Sequence, residues 1–240
     1  MKKMIFSLLA IAAMTSCTTT SEDEIDPNAP VEIKLNAGVE ALARAEVTLT
    51  TGIASGVQFA RIDGTTTDWT TISTISLTGS IAATTGTITF NPSQYYPVDG
   101  SNTNIVGFYP AATSITDGVA SMTITGQEDV IYANPTSGSK GAPMTSIAFN
   151  HLLTQFNFAI KREAASTDDD ITNVSVTIKD ANTTFKLALA DGTLSDWNTA
   201  VSTIIPITNG TATTTTSTAT QKIMLQPKMS SITLTVSADE

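Results

Sequence analysis

Short runs of alternating apolar and polar residues, separated by turn residues, constrain the fold of this chain more than any other feature. Successive side chains of a strand point to opposite faces, so a strand with one buried face has a period of two. Clear runs lie at Val57–Ile62, Thr87–Phe90 and Val119–Ile124. Threonine, whose branched Cβ suits a pleated sheet and crowds a helix, makes up about a fifth of the 240 residues. The sequence therefore predicts an all-β chain.

Turn residues punctuate these runs in the way expected of β-sandwich strands. Asp-Gly pairs follow several runs and supply the positive-φ positions of tight turns. The segment from Gln127 to Ala142 is predicted to be a short strand followed by a long polar loop or domain connection. The other predicted strands are Val47–Thr51, Ile72–Leu77, Ile105–Tyr109, Val130–Ala133, two pieces within Ser146–Lys161, Val174–Ile178, Phe185–Leu189, Ile223–Leu225 and Ile232–Val236.

Composition argues against several classes of function. The formal net charge of -10 and a pI near 4.4 disfavour binding to nucleic acid. The common catalytic motifs are missing, and the single histidine, His151, has no recognisable partner motif nearby, so we expect it to be structural. We expect no enzymatic activity, no cofactor and no metal site, and Cys17, the single cysteine, leaves no intramolecular disulfide.

The first residues have the layout of an export signal. Lys2 and Lys3 precede an apolar run from Met4 to Met14, and the small residues Thr15 and Ser16 come directly before Cys17. This layout resembles a bacterial lipoprotein signal, which implies a signal peptide over residues 1–16. It also implies acylation of Cys17, including palmitate, as the anchor in the outer membrane. The alternative is an ordinary secreted protein with an incidental free cysteine.

Residues 17–30 are polar, acidic and interrupted by proline, which is typical of a solvated linker. Its carboxylates, Glu22, Asp23, Glu24 and Asp26, could be read as a Ca²⁺ site. Carboxylates in a flexible tether are more often solvated charge, and the linker interpretation is favoured.

The first readable strand follows this linker. Val31, Ile33, Leu35 and Ala37 alternate with polar residues between Pro30 and Gly38. Further on, Arg44 lies beside Ala45, where a trypsin-like protease could act on an exposed loop. Arg61 and the Lys161–Arg162 pair are rival basic sites.

Two tryptophans and a tyrosine pair raise the question of a sugar-binding platform. Exposed and coplanar rings of Trp69, Trp197, Tyr95 and Tyr96 would stack on a glycan. The favoured interpretation is that the aromatic cluster around Tyr95 fills one end of a core.

Several weak motifs in a fixed order carry a family resemblance. They are the lipoprotein-like start, the early strand ending near an arginine, the Tyr-Tyr-Pro element at 95–97, the Phe-Tyr-Pro element at 108–110, the Asp129–Ala133 stretch, and Phe149, His151, Leu153, Phe156 and Phe158. Together they resemble the fimbrillin superfamily, the subunits of type V pili and related fimbriae. The resemblance covers most of Val31 to Lys161.

The resemblance implies a fold and a function. The fold would be two transthyretin-like antiparallel β-sandwich domains in tandem, over residues 31–145 and 146–240. The chain would be a structural subunit of cell-surface fimbriae on the outer membrane. An Arg-specific, trypsin-like protease would cut between Arg44 and Ala45 and release Val31, Ile33, Leu35 and Ala37 as a removable plug strand. A strand from another fimbrial subunit would then fill the vacated groove.

Two points stay open in this interpretation. The stop at Glu240 departs from the family pattern of further C-terminal strands, so the C-terminal domain is expected to be short and the donor strand is unassigned. The alternative function is a fimbrial tip adhesin or glycan-binding surface lipoprotein that recognises a host or bacterial receptor.

Overall fold

The computed structural model of the chain describes residues 26, 28–39, 53–163, 171–198, 202–212, 218–219 and 222–239. These residues form strands and one 3-10 turn, Trp69–Thr71, which confirms the all-β class. The predicted signal peptide, Cys17, Arg44 and Ala45 lie outside the described residues. Within the described part of the chain, no helix has the length and apolar character needed to cross a membrane.

The described residues form eighteen strands, numbered here in chain order. They are β1 (Leu35–Val39), β2 (Ile53–Asp63), β3 (Leu77–Ile81), β4 (Thr87–Asn91), β5 (Thr103–Tyr109), β6 (Ser114–Thr116), β7 (Val119–Thr123), β8 (Ile131–Gly138), β9 (Ser146–His151), β10 (Thr154–Phe156), β11 (Ala159–Ile160), β12 (Ile171–Ala181), β13 (Thr184–Ala188), β14 (Leu194–Ser195), β15 (Ser202–Ala212), β16 (Thr218–Ala219), β17 (Ile223–Leu225) and β18 (Thr233–Asp239).

Seven strands close into a barrel in the order β1-β4-β3-β2-β5-β8-β9. The strand β1 completes the closure, because it pairs antiparallel with β4 on one side and parallel with β9 on the other. The barrel interior is a single apolar cluster in which the ring of Phe59 meets Phe90 edge-on at 4.9 Å. Gly107 makes room for that ring, since a Cβ there would lie 2.8 Å from it. The first strand is therefore part of the barrel wall.

A second core lies between the barrel and a four-stranded sheet, β14-β13-β7-β6. The strand β5 serves both cores: Ile105 belongs to the barrel interior, whereas Val106 and Phe108 belong to the second core. This double burial explains its continuous apolar sequence. The hydroxyl of Tyr132 on β8 donates a 3.0 Å hydrogen bond to the carbonyl of Leu189, which ties the barrel to the segment after β13.

The C-terminal strands form a smaller sheet, β15-β12-β18. Its central strand β12 buries Val174, Val176 and Ile178, each 1% exposed. The strand β18 pairs with β12 on one side, and every residue of β18 is exposed. It is therefore an edge strand of this sheet within the described residues.

The strand prediction at Ile72–Leu77 was wrong in extent, because β3 begins only at Leu77. Asp68 caps the 3-10 turn before it by accepting a 3.0 Å hydrogen bond from the amide of Thr70. Ile72 and Ile75 then pack against the second core without forming a strand. These apolar positions serve the packing against the second core. The sequence pattern alone could not distinguish this packing from a strand.

The prediction of a polar loop within Gln127–Ala142 was also wrong in part. The strand β8 continues to Gly138 and pairs with β5 as far as Thr103. The sequence did not predict this extension, because Pro135 and the neighbouring small polar residues are of types that usually occur in turns and loops.

The arrangement as two transthyretin-like sandwiches in tandem stays a prediction, as does the division of the chain between residues 145 and 146. The N-terminal strands hydrogen-bond into one closed barrel, a closure that depends on the parallel pairing of β1 with β9. Strands from both sides of residue 145 share sheets, since β9 belongs to the barrel and β7 pairs with β13.

Candidate strand-binding groove

The segment Val31–Val39 is extended and lies in the barrel wall. We call it the plug segment, or the seated strand where it occupies its groove. Ile33, Leu35 and Ala37 are 2%, 2% and 4% exposed, and Val31 packs against the same interior cluster. The residues between them, Glu32, Lys34 and Asn36, are exposed, as the alternation predicts. All four predicted plug residues therefore face the barrel interior, and their removal would open it to solvent.

Hydrogen bonds hold β1 on both edges. Towards β4, Leu35 pairs with Ile88, and the amide of Ala37 donates to the carbonyl of Gly86 at 2.7 Å. Towards β9, the amide of Asn36 donates to the carbonyl of Thr145 at 3.0 Å. We call the two bordering strands, β4 and β9, the lips of the groove. Without β1, each lip would present an unpaired edge inside the barrel wall.

The residues before β1 are held by a loop and not by the lips. The amide of Ile33 donates to the carbonyl of Gln94 at 2.8 Å, and the amide of Tyr96 donates to the carbonyl of Val31 at 2.9 Å. Glu32 also forms an isolated bridge with Tyr95. We call the segment Ser93–Tyr96 the clamp loop. The seated strand thus occupies two consecutive sites, first the clamp loop and then the lips.

A separate cleft of about 390 Å³ lies beside the seated strand. Residues 32–36 line one side and residues 87–90 of β4 the other, with Ser93 and Gln94 at the end. The pairing with β4 covers Leu35 and Asn36, and the chain N-terminal to this point turns to the clamp loop. The cleft therefore lies between β4 and the part of this segment that precedes the pairing.

Tyr96 helps to fix the clamp loop. Its side chain is buried in the barrel interior, and its hydroxyl accepts a 2.7 Å hydrogen bond from the amide of Met144. Burial raises the pKa of the Tyr96 phenol, an effect that the Met144 amide and the nearby Arg61 charge oppose. The phenol therefore stays neutral in the core at ordinary pH.

Of the rival basic sites, Arg61 lies within β2, and each of its three guanidinium nitrogens donates a hydrogen bond. It donates to Gln94 Oε1 at 2.8 Å, to the carbonyl of Tyr95 at 2.8 Å, and to the carboxylate of Asp63. A protease needs an accessible, extended substrate, so Arg61 is a poor cleavage site in the folded barrel. Lys161 and Arg162 follow β11.

The residues proposed for a glycan platform do not come together as an exposed surface. Trp69 and Tyr96 are 7% and 3% exposed. Trp197 stacks on Phe185 with ring centroids 4.3 Å apart, whereas Tyr95 alone of the four is well exposed. The predicted role of the Tyr95 region at the end of a core fits Tyr96.

His151 has a buried partner that local sequence did not reveal. Its Nδ1 lies 2.7 Å from Oδ2 of Asp129, and the two side chains are 2% and 0% exposed. His151 ends β9, one lip of the groove, and Asp129 precedes β8. Both residues belong to the motifs that carried the family resemblance, and their shared presence was the one signal in sequence that could have suggested this contact.

No cluster of metal-ligating side chains occurs among the residues that the structure describes. Most of the acidic linker lies outside them. Asp26, which is described, accepts a 2.8 Å hydrogen bond from the amide of Asn28 in a local turn. This contact needs no metal ion.

The edge strand β18 repeats the side-chain pattern of the plug segment. Ile232, Leu234, Val236 and Ala238 are spaced as Val31, Ile33, Leu35 and Ala37 are, with the small residue last in both cases. Leu234 and Val236 are 41% and 55% exposed, although their cross-strand partners Ile178 and Val176 are buried. An apolar stripe thus continues from the C-terminal core onto an uncovered edge.

These features define a class: an all-β protein whose first strand fills a groove in a barrel, with a second strand of matching pattern on a sheet edge. A family model described as fimbrillin-like matches residues 43–240, which is most of the chain. The chain belongs to the fimbrillin-like family, and the resemblance found in the sequence is confirmed.

Known proteins support this placement. The chain is 28% identical over 199 residues to "Putative fimbrium subunit Fim1C" of Bacteroides uniformis, a match that covers 76% of this chain. The chain spans 64% of the length of that relative.

Two crystal structures share the fold. One, of a "putative cell adhesion protein" from Bacteroides uniformis, has a TM-score of 0.64 at 20% identity, covering 87% of this chain and 80% of that chain. The other, of a protein with the same description from Bacteroides ovatus, has a TM-score of 0.54 at 15% identity, covering 86% and 82%.

Proposed function

We propose that the chain is a structural subunit of cell-surface fimbriae that assembles by strand insertion. The observation that carries this proposal is the seating of Val31–Val39, a short strand with three buried apolar side chains between two lips. Membership of the fimbrillin-like family and similarity to a protein named as a fimbrium subunit support it. We also propose that the mature subunit has two transthyretin-like domains and that it has no enzymatic role.

The route to the surface rests on the N-terminal sequence. Export as a lipoprotein with acylated Cys17 would place the precursor on the outer membrane, with residues 17–30 as a spacer. In the chain, Arg44 lies between the seated strand and β2. A cut by an Arg-specific protease after Arg44 would leave the plug bound only by noncovalent contacts.

Loss of the plug would favour a replacement strand for a physical reason. The lips would expose backbone groups and the interior positions of Ile33, Leu35 and Ala37, which cost free energy until another strand covers them. Strand insertion satisfies the hydrogen bonds and the apolar pockets together.

The donor that the geometry favours is β18 of a neighbouring subunit. It is an edge strand with exposed residues throughout, so its detachment from β12 uncovers less apolar surface than the loss of a buried strand would. It also has the pattern of the plug, including the final alanine. Homo- and hetero-polymers are both compatible with this mechanism.

The adhesin alternative has less support. A glycan platform built from Trp69, Trp197, Tyr95 and Tyr96 would need several exposed rings, and two of the four are buried. A host or bacterial receptor would have to use another surface.

The test is N-terminal sequencing of the mature protein from outer-membrane and shed fractions, for wild type and Arg44→Ala. We expect a start at Ala45 in assembled wild-type material, and an Arg44→Ala protein that keeps an acylated Cys17 and forms no polymer. Arg162→Ala is the matched control and should be processed like wild type. An Arg44→Ala protein that polymerises normally would contradict activation at this site.

A further inference from the structure

The clamp loop has contacts with the barrel that are separate from its hydrogen bonds to the strand that it binds. Arg61 on β2 donates to the Gln94 side chain and to the carbonyl of Tyr95, each at 2.8 Å. The Tyr96 hydroxyl accepts from Met144 within the barrel. None of these contacts involves the plug segment. The loop should therefore keep its shape when the plug leaves.

Arg61 is itself oriented by its neighbours. Asp63 accepts from Arg61 Nε at 2.9 Å and from Nη2 at 3.0 Å, a paired arrangement that fixes the plane of the guanidinium. The hydroxyl of Thr103 donates to the same carboxylate at 2.8 Å. The Arg61 side chain is 20% exposed, so these charged contacts are partly shielded from water. Arg61 is thus a rigid brace between the barrel wall and the clamp loop.

An empty clamp loop would present one acceptor and one donor to an incoming chain. These are the carbonyl of Gln94, now used by the amide of Ile33, and the amide of Tyr96, now used by the carbonyl of Val31. The two groups bind residues two positions apart, which is the spacing of an extended strand edge. The loop therefore recognises backbone in strand conformation, ahead of the lips.

We propose that the clamp loop, braced by Arg61, is a separate subsite that binds the leading residues of β18 from a second copy of this chain. The proposal rests on the proposed function, in which β18 is the donor, and it adds a braced subsite and a register for the incoming strand. Ile232 and Leu234 take the places of Val31 and Ile33. The rest of the strand follows between the lips in the same direction as β1.

The second copy is the occupant because its strand fits the whole seat. Ile232, Leu234, Val236 and Ala238 match the four plug positions in order, and the reverse direction would place alanine in the seat of Val31. No charged residue lies between Ile232 and Ala238, so the strand brings none into the groove. Arg61 is a positioning residue here, since it touches the clamp loop and not the incoming strand.

The experiment uses the full chain with Cys17→Ser and with a specific protease site replacing residues 43–46, so that cutting does not depend on natural processing. A fluorescent label on the plug reports its displacement by a synthetic peptide of residues 232–239. Two modified peptides carry N-methyl groups, one at Leu234, which would lose its bond to Gln94, and one at Ser237, which would lose the bond that Asn36 now makes to Thr145.

With the wild-type barrel, each N-methyl group should weaken binding by about tenfold, the effect of one well-placed hydrogen bond. With Arg61→Ala, the unmodified peptide should bind about tenfold more weakly, and methylation at Leu234 should add less than about twofold. Methylation at Ser237 should keep its full effect in both proteins. Lys186→Ala, at an exposed ion pair, is the matched control and should behave like wild type.

Folding of Arg61→Ala is checked by urea denaturation, and Gln94→Ala, which removes one contact of the brace, is the second variant if the first does not fold. An equal penalty for methylation at Leu234 with and without Arg61 would overturn the role of the brace. Displacement by a peptide of residues 31–39 but not by residues 232–239 would overturn β18 as the occupant. Displacement by neither peptide would remove the proposed function itself.

Discussion

The plug segment and β18 have the same pattern of side chains in opposite surroundings. Leu35 on β1 is 2% exposed between two paired neighbours, whereas Val236 at the matching position of β18 is 55% exposed on a sheet edge. The barrel closes around β1, whereas among the described residues the C-terminal sheet pairs with β18 on one side alone. Alternation thus makes both segments strands, and their place in a sheet decides which one is buried.

This difference has a functional meaning in a protein that exchanges strands. A strand that leaves a groove must be replaced by one with the same spacing of apolar groups. A strand that is to be donated must be available, which an edge position with few buried side chains allows. The two halves of one proposed joint therefore occur in the same chain.

The largest effect should come from placing a charge at the two matched positions. Leu35→Asp buries a carboxylate in the barrel interior and should cost more than about 4 kcal/mol of unfolding free energy. Val236→Asp, at the matching position of β18, lies on the exposed edge and should cost less than about 0.5 kcal/mol. Urea denaturation measures both variants. Similar losses at the two positions would show that the contrast in burial is wrong.

A second prediction concerns the contact between Asp129 and His151 at the end of β9, one lip of the groove. Asp129→Ala removes the carboxylate that lies against the buried His151 ring at the end of β9, and we expect a loss of about 2 kcal/mol in unfolding free energy, the cost of leaving a buried polar group unpaired. Asp196→Ala removes an exposed ion pair with Lys186, where the change should be below about 1 kcal/mol. Thermal or urea unfolding distinguishes them. Equal, small changes would contradict a structural role for the buried pair.

A smaller effect concerns the stability of the second core, which contains Tyr132, at alkaline pH. Burial, and to a lesser extent Asp191, raise the pKa of Tyr132 above its ordinary value of 10.0. The folded state therefore holds this proton more tightly than the unfolded state. The stabilisation is present below the unfolded pKa and is lost as pH rises through the folded one.

Tyr132→Phe should cost about 1 kcal/mol at neutral pH, because its hydrogen bond to Leu189 is gone. Above about pH 10 it should lose less further stability than wild type does. Urea titrations across this range give the comparison, with the exposed Tyr95→Phe as control. An unchanged alkaline slope in Tyr132→Phe would count against burial as the cause.

Sequence predicted the strand class and the inward face of the plug well, because period-two alternation reports directly on which side chains share a face. Ile33, Leu35 and Ala37 are buried as expected. It could not predict that β1 pairs in parallel with β9, since closure of a sheet depends on contacts between residues far apart in the chain.

The binding role of the clamp loop could not be predicted from the sequence for a related reason. In sequence, Tyr95 and Tyr96 form an aromatic pair, but the contacts of this loop with Val31 and Ile33 come from backbone groups, which have no signature in the side-chain pattern. From sequence alone, Arg61 is one of several basic residues where a protease could cut. Its contacts with Gln94 and Tyr95 join residues more than thirty positions apart, so that only the fold brings them together.

The most direct measurement of the central claim is a cysteine trap between two copies cut after the plug, both with Cys17→Ser. One copy has Ile88→Cys, at the position that faces Leu35 across the groove, and the other has Val236→Cys. Oxidation should give a disulfide-linked dimer after cutting and not before. Thr235→Cys, whose side chain would point away from the groove, should give none. No dimer with Val236→Cys, or an equal yield before cutting, would contradict the exchange of β1 for β18.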